Sequence, residues 1–324
     1  MTMGGAFVTM RLAAAGLSLS VAVSASAQTM AAARADAQAG RADAAIAKLH
    51  TVLVAEPKSA AAHALLCAVE MSIEMRDAAV TECELAATLS PDSSDDALAL
   101  ARAYGDKAGH SGVLTGMRMV GKVRGSFERA VKLDPKSVEA ISDLGEFYTD
   151  APSIVGGGLD KARALLPLLQ ALSPARAHRL AGLIATKAKD YTLAETEFRA
   201  ELAIAHSAEA YVDLANLDRR RNQPEKAAEN AKLAIAADKH HEGDTLDAAA
   251  ILLELKRDTA AAEAALRDYI RTPQKSAVAS TARAHTMLGN ALLTHADRPA
   301  ANAEFAAALA LAHEYEPARK GAGR

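Results

Sequence analysis

The chain has 324 residues, half of them hydrophobic, but only 3% are aromatic and none is Trp. Alanine supplies most of the apolar residues, and it favours helices in close contact because it forms helices readily and loses no side-chain entropy. Alternating β-branched residues and Asn-Gly turns are scarce, so we expect an all-α protein. The net charge of -3 gives no electrostatic reason to expect a nucleic-acid partner.

Residues 1–27 have the pattern of an export signal. Arg11 precedes an apolar run from Leu12 to Val23, and Ala25-Ser26-Ala27 then forms a small-x-small cleavage site. The run is shorter than the roughly 20 apolar residues that a permanent membrane helix needs. We therefore expect residues 1–27 to be a signal peptide cut after Ala27, and the mature protein to be periplasmic or secreted without a stable membrane span. A buried first helix is the alternative.

A repeated pattern of small residues and prolines runs through the rest of the chain. Pro91 lies 34 positions after Pro57, and Ala79 and Ala45 lie twelve positions before these two prolines. A small residue lets two helices of a hairpin approach closely, and proline marks where a helix stops and the next unit starts. The same spacing recurs at Pro174 with Ala162 and at Pro273 with Ala261.

These spacings carry a resemblance to the tetratricopeptide-repeat (TPR) family, in an exported bacterial member. The matching residues are Leu144-Gly145 with Tyr148, Ala194 with Phe198, and Leu288-Gly289 with Ala301, Phe305 and Ala308. The resemblance implies an all-α, right-handed superhelical solenoid of about eight helical hairpins over residues 28–315. Residues 316–324 are basic and contain glycine, so we expect them to form a loose tail.

Two units are longer than the others. Pro135 lies 44 positions after Pro91, and Pro174 lies 39 positions after Pro135. We expect loop insertions near 109–118 and 151–158, each between the two helices of a hairpin and near one edge of the solenoid. Gly156-Gly157-Gly158 in the second insertion lacks the Gly-Lys-Ser/Thr ending of a phosphate-binding loop, which favours a flexible turn.

The two cysteines fall on opposite helices of one predicted hairpin. Cys67 precedes and Cys83 follows a turn near residue 75, so antiparallel packing brings them near each other. A disulfide is possible there only at the closest approach of the two helices. An oxidising compartment favours the bridge, and two buried free thiols remain the alternative.

The TPR resemblance implies that the first helix of each hairpin lines a concave groove. On this chain the charge of that groove changes from acidic in the fourth unit (138–174) to basic in the fifth (175–207) and sixth (208–241), which suits an extended peptide or a helix with segregated charge. A solvated face that keeps the solenoid soluble is the alternative. The residues predicted to bind a partner are Arg102, Asp106, Glu146, Asp150, Arg176, Arg179, Lys187, Asn216, Arg219 and Arg220.

The motifs that carry catalysis are missing from the sequence. His240-His241-Glu242 has no His-x-x-x-His spacing, so a metal site is not expected, and we see no nucleophile or cofactor motif. We expect a non-enzymatic scaffold that binds a protein or peptide in its groove and uses no cofactor. The alternatives are a periplasmic small-molecule-binding TPR protein associated with transport, whose two long loops close over the groove, and a structural or self-assembling role.

Overall fold

The computed structural model describes residues 25–239, 243–273, 275 and 278–323. Most of the predicted signal peptide, residues 1–24, lies outside the described residues, as does His240-His241-Glu242. The described residues contain no β-strand, and almost all of them belong to helices. The helices are α1 (25–38), α2 (Ala42–Ala55), α3 (Ala60–Ser72), α4 (Arg76–Leu89), α5 (Ser94–Gly109), α6 (Val113–Leu133), α7 (Val138–Asp150), α8 (Leu159–Leu172), α9 (Pro174–Lys187), α10 (Tyr191–Ala205), α11 (Ala208–Arg220), α12 (Pro224–Ala237), α13 (Asp244–Leu255), α14 (Thr259–Arg271), α15 (Thr281–Thr294), α16 (Arg298–Leu311) and α17 (Glu316–Gly321).

Consecutive helices pack as eight hairpins, from α1/α2 to α15/α16, which confirms the predicted all-α repeat array. Odd-numbered helices also contact their counterparts in the next hairpin, as α5, α7 and α9 do in succession. Among the described residues, the even-numbered helices of neighbouring hairpins approach each other less closely. The odd-numbered helices therefore form the inner side of the stack, and we call them the inner helices and the even-numbered ones the outer helices.

Small residues and aromatic rings meet inside the hairpins as the sequence pattern requires. In α15/α16, a Cβ added to Gly289 would lie 2.7 Å from the ring of Phe305. In α9/α10, a Cβ added to Gly182 would lie 2.5 Å from the ring of Phe198. The glycine on the inner helix thus makes room for the phenylalanine on the outer helix, because interiors are too tightly packed to hold both groups.

Cys67 and Cys83 form a disulfide, with 5.3 Å between their Cα atoms and both side chains buried. They are 16 residues apart, which is also the separation of Gly182 from Phe198 and of Gly289 from Phe305. The disulfide of the α3/α4 hairpin therefore occupies the place that a glycine and a phenylalanine fill in two later hairpins.

The expected loop at 109–118 is wrong, since most of the inserted residues extend a helix. α6 has 21 residues, whereas the outer helices α4, α8, α12 and α16 have 14 each, and only residues 110–112 connect α5 to α6. The stretch contains no proline to stop the helix. Gly116 has a packing role, because a Cβ at this position would lie 2.9 Å from the carbonyl oxygen of Ala108 in α5.

The second insertion does lie between two helices of a hairpin. Residues 151–158 join α7 to α8 and include a short 3-10 helix, Ser153–Val155. Gly156 and Gly158 have φ values of 97° and 132°, which L-residues rarely adopt. The glycines therefore allow the chain to reverse direction here, and the 3-10 helix contacts α6 of the preceding hairpin.

The two ends of the array contact each other, which the sequence analysis did not anticipate. The backbone N–H of Ala279 donates to the carbonyl of Ala37 at 3.0 Å. The backbone N–H of His313 donates to Asp43 at 2.9 Å, and α16 contacts α2. We call this set of contacts the closure, and it joins the first hairpin to the last.

The C-terminal tail is more ordered than we expected. Glu316–Gly321 forms the short helix α17, which contacts α15 and α16 and buries Ala318 completely. Tyr315, immediately before α17, is only 2% exposed, and its hydroxyl donates to Glu74 at 3.2 Å. Burial of apolar surface outweighs the loop-like composition, and α17 covers the exposed side of the last hairpin.

Candidate binding groove on the inner helices

The ten residues predicted to bind a partner all lie on four successive inner helices, α5, α7, α9 and α11. Successive turns of each helix bring residues three and four apart to the same face, which explains why Arg176, Arg179 and Lys187 follow one another along α9. The structure therefore places the predicted residues on one continuous surface. Most of them contact one another rather than face a free groove.

Arg179 is the centre of the largest ion-pair cluster. Its Nε atom lies 2.8 Å from Asp213 and 3.2 Å from Glu209, both on α11, and its Nη1 atom pairs with Glu146 on α7. The Arg179 side chain is only 12% exposed. Burial raises the pKa of Asp213 to about 6, although the charge of Arg179 acts in the opposite direction. Arg179 therefore joins three successive hairpins.

The same arrangement recurs along the inner helices. Basic residues of one inner helix contact acidic residues of a neighbouring inner helix, so adjacent hairpins carry opposite charges where they meet. The pairs are Arg102 with Glu139 at 2.6 Å and with Asp143 at 2.7 Å, Lys187 with Asp150 at 3.5 Å, Arg283 with Asp247 at 2.8 Å, and Arg176 with Glu209 and Arg219 with Glu254.

Two further predicted residues also have partners in the structure. Asp106 pairs with Arg76 and with His110, each at 3.0 Å. Asn216 accepts a hydrogen bond from Arg219 at 3.0 Å. Their side chains therefore help to order the inner surface.

Arg220 differs from the other predicted cations. It is exposed and has no ion pair among the residues that the structure describes. It lies between two clefts, one of about 430 Å³ that Asn216 and Glu254 also line, and one of about 140 Å³ that Leu183 and Lys187 also line. A guanidinium group forms two parallel hydrogen bonds with a carboxylate, so Arg220 is suited to an anionic group of a ligand.

Sequence reasoning missed a set of His–Glu pairs. In three hairpins, a histidine on the inner helix contacts a glutamate that follows it by 19 residues, on the outer helix, and the contact ties the two helices together. The repeated offset was a signal that could have revealed them. The pairs are His63 with Glu82 at 2.5 Å, His178 with Glu197 at 2.7 Å, and His285 with Glu304 at 2.6 Å.

Two buried carboxyl groups were also missed. Glu201 is 2% exposed and Glu70 is 5% exposed, and one carboxyl oxygen of each has no hydrogen-bond partner. Burial, reinforced by the nearby charge of Asp213, raises the pKa of Glu201 to about 8. Burial, reinforced by Glu82, raises the pKa of Glu70 to about 7. The sequence offered one signal for both groups, because each is an acidic residue at a position that the repeat pattern assigns to the core.

Within the part of the chain that the structure describes, no group of three or more His, Cys, Asp or Glu residues could hold a metal ion. No helix in the same part combines the length and the apolar character needed to cross a membrane.

Comparisons with known proteins give a likeness in fold only. No protein-family model matches the chain, and no curated protein matches it. Among solved structures, the chain is similar to TTC0263, a thermophilic TPR protein of Thermus thermophilus, at 15% identity and a TM-score of 0.45, over 70% of this chain and 99% of that one. It is also similar to the Cut9–Hcn1 hetero-tetramer of APC/C at 15% identity and a TM-score of 0.41, over 89% of this chain and 53% of that one. The assignment as a helical-repeat array rests on the packing of the helices themselves.

Proposed function

We propose that this protein is an exported, non-catalytic scaffold that holds a segment of a partner protein along its inner helices. The observation that carries the proposal is Arg220, the exposed groove cation that lacks an ion pair in the described part of the chain and lies between two clefts. In our proposal Arg220 binds a carboxylate of the partner, and the chain on either side of that carboxylate occupies the clefts.

The surroundings of Arg220 support a peptide rather than an isolated anion. Asn216 and Thr186 offer hydrogen-bonding groups for a peptide backbone, and Leu183 and Leu255 offer apolar contacts. The other charged residues that line the two clefts have ion-pair partners, so within the described residues Arg220 is an unpaired anchor with polar and apolar groups on either side. An extended segment suits this arrangement, because its successive side chains point in opposite directions.

The export part of the proposal rests on residues 1–27 and on the disulfide. An apolar run followed by Ala25-Ser26-Ala27 is typical of a cleavable signal. A buried disulfide such as Cys67–Cys83 persists in oxidising compartments.

The small-molecule alternative depended on two loops folding over the groove. One of those segments is part of α6 and the other contacts α6, so the peptide proposal has the stronger support.

The test is a pull-down from an envelope extract with the parent protein and an Arg220→Glu variant. Arg176 and Arg179 are unsuitable targets because their ion pairs join hairpins, and charge reversal there would disturb the fold. The matched control is Arg298→Glu, at an exposed arginine on the outer helix α16 that also lacks an ion pair in the described residues.

We expect a specific partner that binds the parent and Arg298→Glu but not Arg220→Glu, with all three proteins giving the same thermal unfolding curve. The captured partner is then tested by calorimetry as purified protein and as synthetic segments, and Arg220→Lys should bind more weakly than the parent. Equal binding by the parent and Arg220→Glu, or equal losses in both charge-reversal variants, would refute this site.

A further inference from the structure

Exposed aliphatic side chains lie on both of the unusually long units, whose segments contact each other through α6. Val113, Leu114 and Met117 in the first turns of α6 are 79%, 73% and 53% exposed. Ile154 in the short 3-10 helix is 88% exposed. We call these four residues the edge patch. They are aliphatic side chains left in water, on segments that the basic repeat does not contain.

The edge patch has a fixed support. The 3-10 helix contacts α6, and the Arg124 side chain of α6 packs against Gly156 so closely that a Cβ there would overlap it. Arg124 also pairs with Glu128 at 3.6 Å, and Glu128 accepts a hydrogen bond from Tyr148 at 2.9 Å. Lys161 donates to the carbonyl of Gly156 at 2.7 Å. These contacts therefore hold the segment that carries Ile154 against α6.

The edge patch is flanked by positive charge. Residues 107–127 contain no Asp or Glu but include Lys107, Arg118, Lys122 and Arg124, in a chain whose net charge is -3. Arg118, next to Met117, is exposed and has no ion pair among the described residues. Lys122 lies 3.4 Å from Glu84 in a contact that is open to solvent. Lys107 pairs with Asp77 at 2.6 Å, so among these four cations, in the part of the chain that the structure describes, Arg118 supplies the uncompensated positive charge beside the aliphatic residues of α6.

We propose that the edge patch docks the protein on an anionic lipid surface. Val113, Leu114 and Met117 enter the headgroup region, and Arg118 and Lys122 contact the lipid phosphates. Aliphatic residues beside cations are the combination by which a surface helix binds an anionic bilayer. Protein-binding hot spots are instead enriched in Trp, Tyr and Arg within well-packed pockets, and the edge patch has neither aromatic rings nor a pocket.

This docking is independent of the proposed groove function. α6 is an outer helix, and Val113, Leu114 and Met117 of the edge patch lie at its N-terminal end, in a different hairpin from Arg220 on the inner helix α11. A protein bound to lipid through the edge patch would still present its inner helices. Lipid binding at the edge patch would therefore locate the protein on a membrane surface whether or not a peptide binds the groove.

The first experiment places an environment-sensitive dye on the edge patch. A Leu114→Cys variant of the full chain can be labelled at a single thiol, because Cys67 and Cys83 are joined. The control is a Val54→Cys variant, since Val54 is 84% exposed on α2 and lies outside the edge patch. We expect vesicles with about 30% phosphatidylglycerol to shift the emission of the dye at 114 to shorter wavelength, but not at 54. Phosphatidylcholine vesicles or about 0.5 M NaCl should abolish the shift.

The second experiment measures flotation of the full chain with the same vesicles. We expect the Val113→Ser/Leu114→Ser/Met117→Ser/Ile154→Ser variant to partition at least about tenfold less than the parent, since losing four aliphatic contacts costs more than about 1.4 kcal/mol. Arg118→Glu/Lys122→Glu should show a similar loss that shrinks at high salt. The control is Val54→Ser/Ile204→Ser, at two exposed aliphatic residues outside the edge patch. Because every variant keeps residues 1–27, any binding by that segment is common to all.

Several results would overturn the proposal. One is the same dye response at 114 and 54, and another is partitioning that the edge-patch substitutions leave unchanged. A dye shift that depends on protein concentration without lipid, together with a larger mass in light scattering, would show instead that the edge patch joins copies of this chain. A shift produced by an acidic protein but not by vesicles would make the patch a protein-binding surface.

Discussion

Gly40, in the turn between α1 and α2, offers a direct test of the closure. Its φ is +72°, and a Cβ at this position would lie 2.5 Å from the Cβ of Thr281 and overlap the Thr281 hydroxyl. Thr281 is the first residue of α15, near the other end of the array. Alanine in this backbone conformation costs about 1 kcal/mol. Overpacking against Thr281 adds about 1–3 kcal/mol. We therefore expect Gly40→Ala to lower the free energy of unfolding by about 2–4 kcal/mol.

The contribution of Thr281 can be separated from the backbone effect by a double-mutant cycle. Thr281→Gly removes both side-chain atoms that a Cβ on residue 40 would meet, and leaves only the Thr281 backbone nitrogen at 3.3 Å. In that background Gly40→Ala should cost only the backbone effect of about 1 kcal/mol. The coupling free energy between the two sites is then about 1–3 kcal/mol, although they are far apart in sequence.

The assay is urea unfolding at 25 °C followed by far-ultraviolet circular dichroism, with the disulfide intact. A control for the backbone effect is Gly323→Ala, because Gly323 also has a φ of +72° but a Cβ there would meet nothing within 4 Å. We expect that control to cost no more than about 1 kcal/mol. If Gly40→Ala costs the same with threonine or glycine at 281, the two ends of the array do not touch at this turn.

Three further predictions concern the hairpins and their charges. First, Cys67→Gly/Cys83→Phe should unfold at the same urea concentration with and without reductant, whereas reduction should cost the parent about 3 kcal/mol. A double variant less stable than the reduced parent would contradict the equivalence of the two packings. Second, Arg179→Met should cost about 2–3 kcal/mol because it leaves the partly buried carboxylates of Asp213, Glu209 and Glu146 without their cation, whereas Arg220→Met should change stability by less than about 0.5 kcal/mol in the same urea titration. Equal costs would refute the assignment of Arg179 as the structural cation. Third, the folded protein keeps a proton on Glu201 up to a pKa of about 8, while an unfolded chain loses it near the ordinary pKa of 4.5, so this residue lowers stability as pH rises between those values. Glu201→Gln should therefore match the parent near pH 4.5 and exceed it by at least about 1 kcal/mol near pH 9, as measured by urea titration at each pH; a constant difference across that range would disagree with the burial of a titrating carboxyl.

The helix pairing was predictable because it depends on local spacing. Ala45 and Ala79 recur with the same period as the prolines, and both side chains are fully or almost fully buried at helix contacts. Gly289 and Phe305 illustrate the same point, since the glycine lies on the inner helix and meets the phenylalanine across a single hairpin. Such contacts involve residues close in sequence, so periodicity alone locates them.

The first insertion was not predictable from the same reasoning. The extra length between Pro91 and Pro135 suggested a loop near 109–118, but α6 begins at Val113 and continues through Gly116. Glycine lowers helix stability by only about 1 kcal/mol per residue. Packing compensates for this cost where a glycine allows two helices to approach closely. Gly116 approaches the carbonyl of Ala108 in α5, and that contact exists only once the two helices are side by side.

In the candidate groove, the positions of the residues on the helices were predictable, but their ion pairs were not. The resemblance to the TPR family implied that ten polar residues lie on the inner helices, and they do lie there. It did not reveal that Arg179 of α9 is enclosed by Asp213 of α11 and Glu146 of α7, since those contacts join different hairpins. Only the packing of successive hairpins separated Arg220, which has no ion pair in the described residues, from the cations that hold the array together.

By itself, the sequence determined the all-α class and the hairpin as the repeating unit. These features follow from period, small-residue spacing and helix propensity, which act over tens of residues. The closure, the order of α17 and the edge patch were decided by tertiary structure. The closure depends on how all the hairpins stack along the array, which brings Ala279 against Ala37, whereas α17 and the segment with Ile154 depend on contacts with the hairpin beside them. No local pattern encodes the stacking of the whole array, because each hairpin contacts chiefly its neighbours.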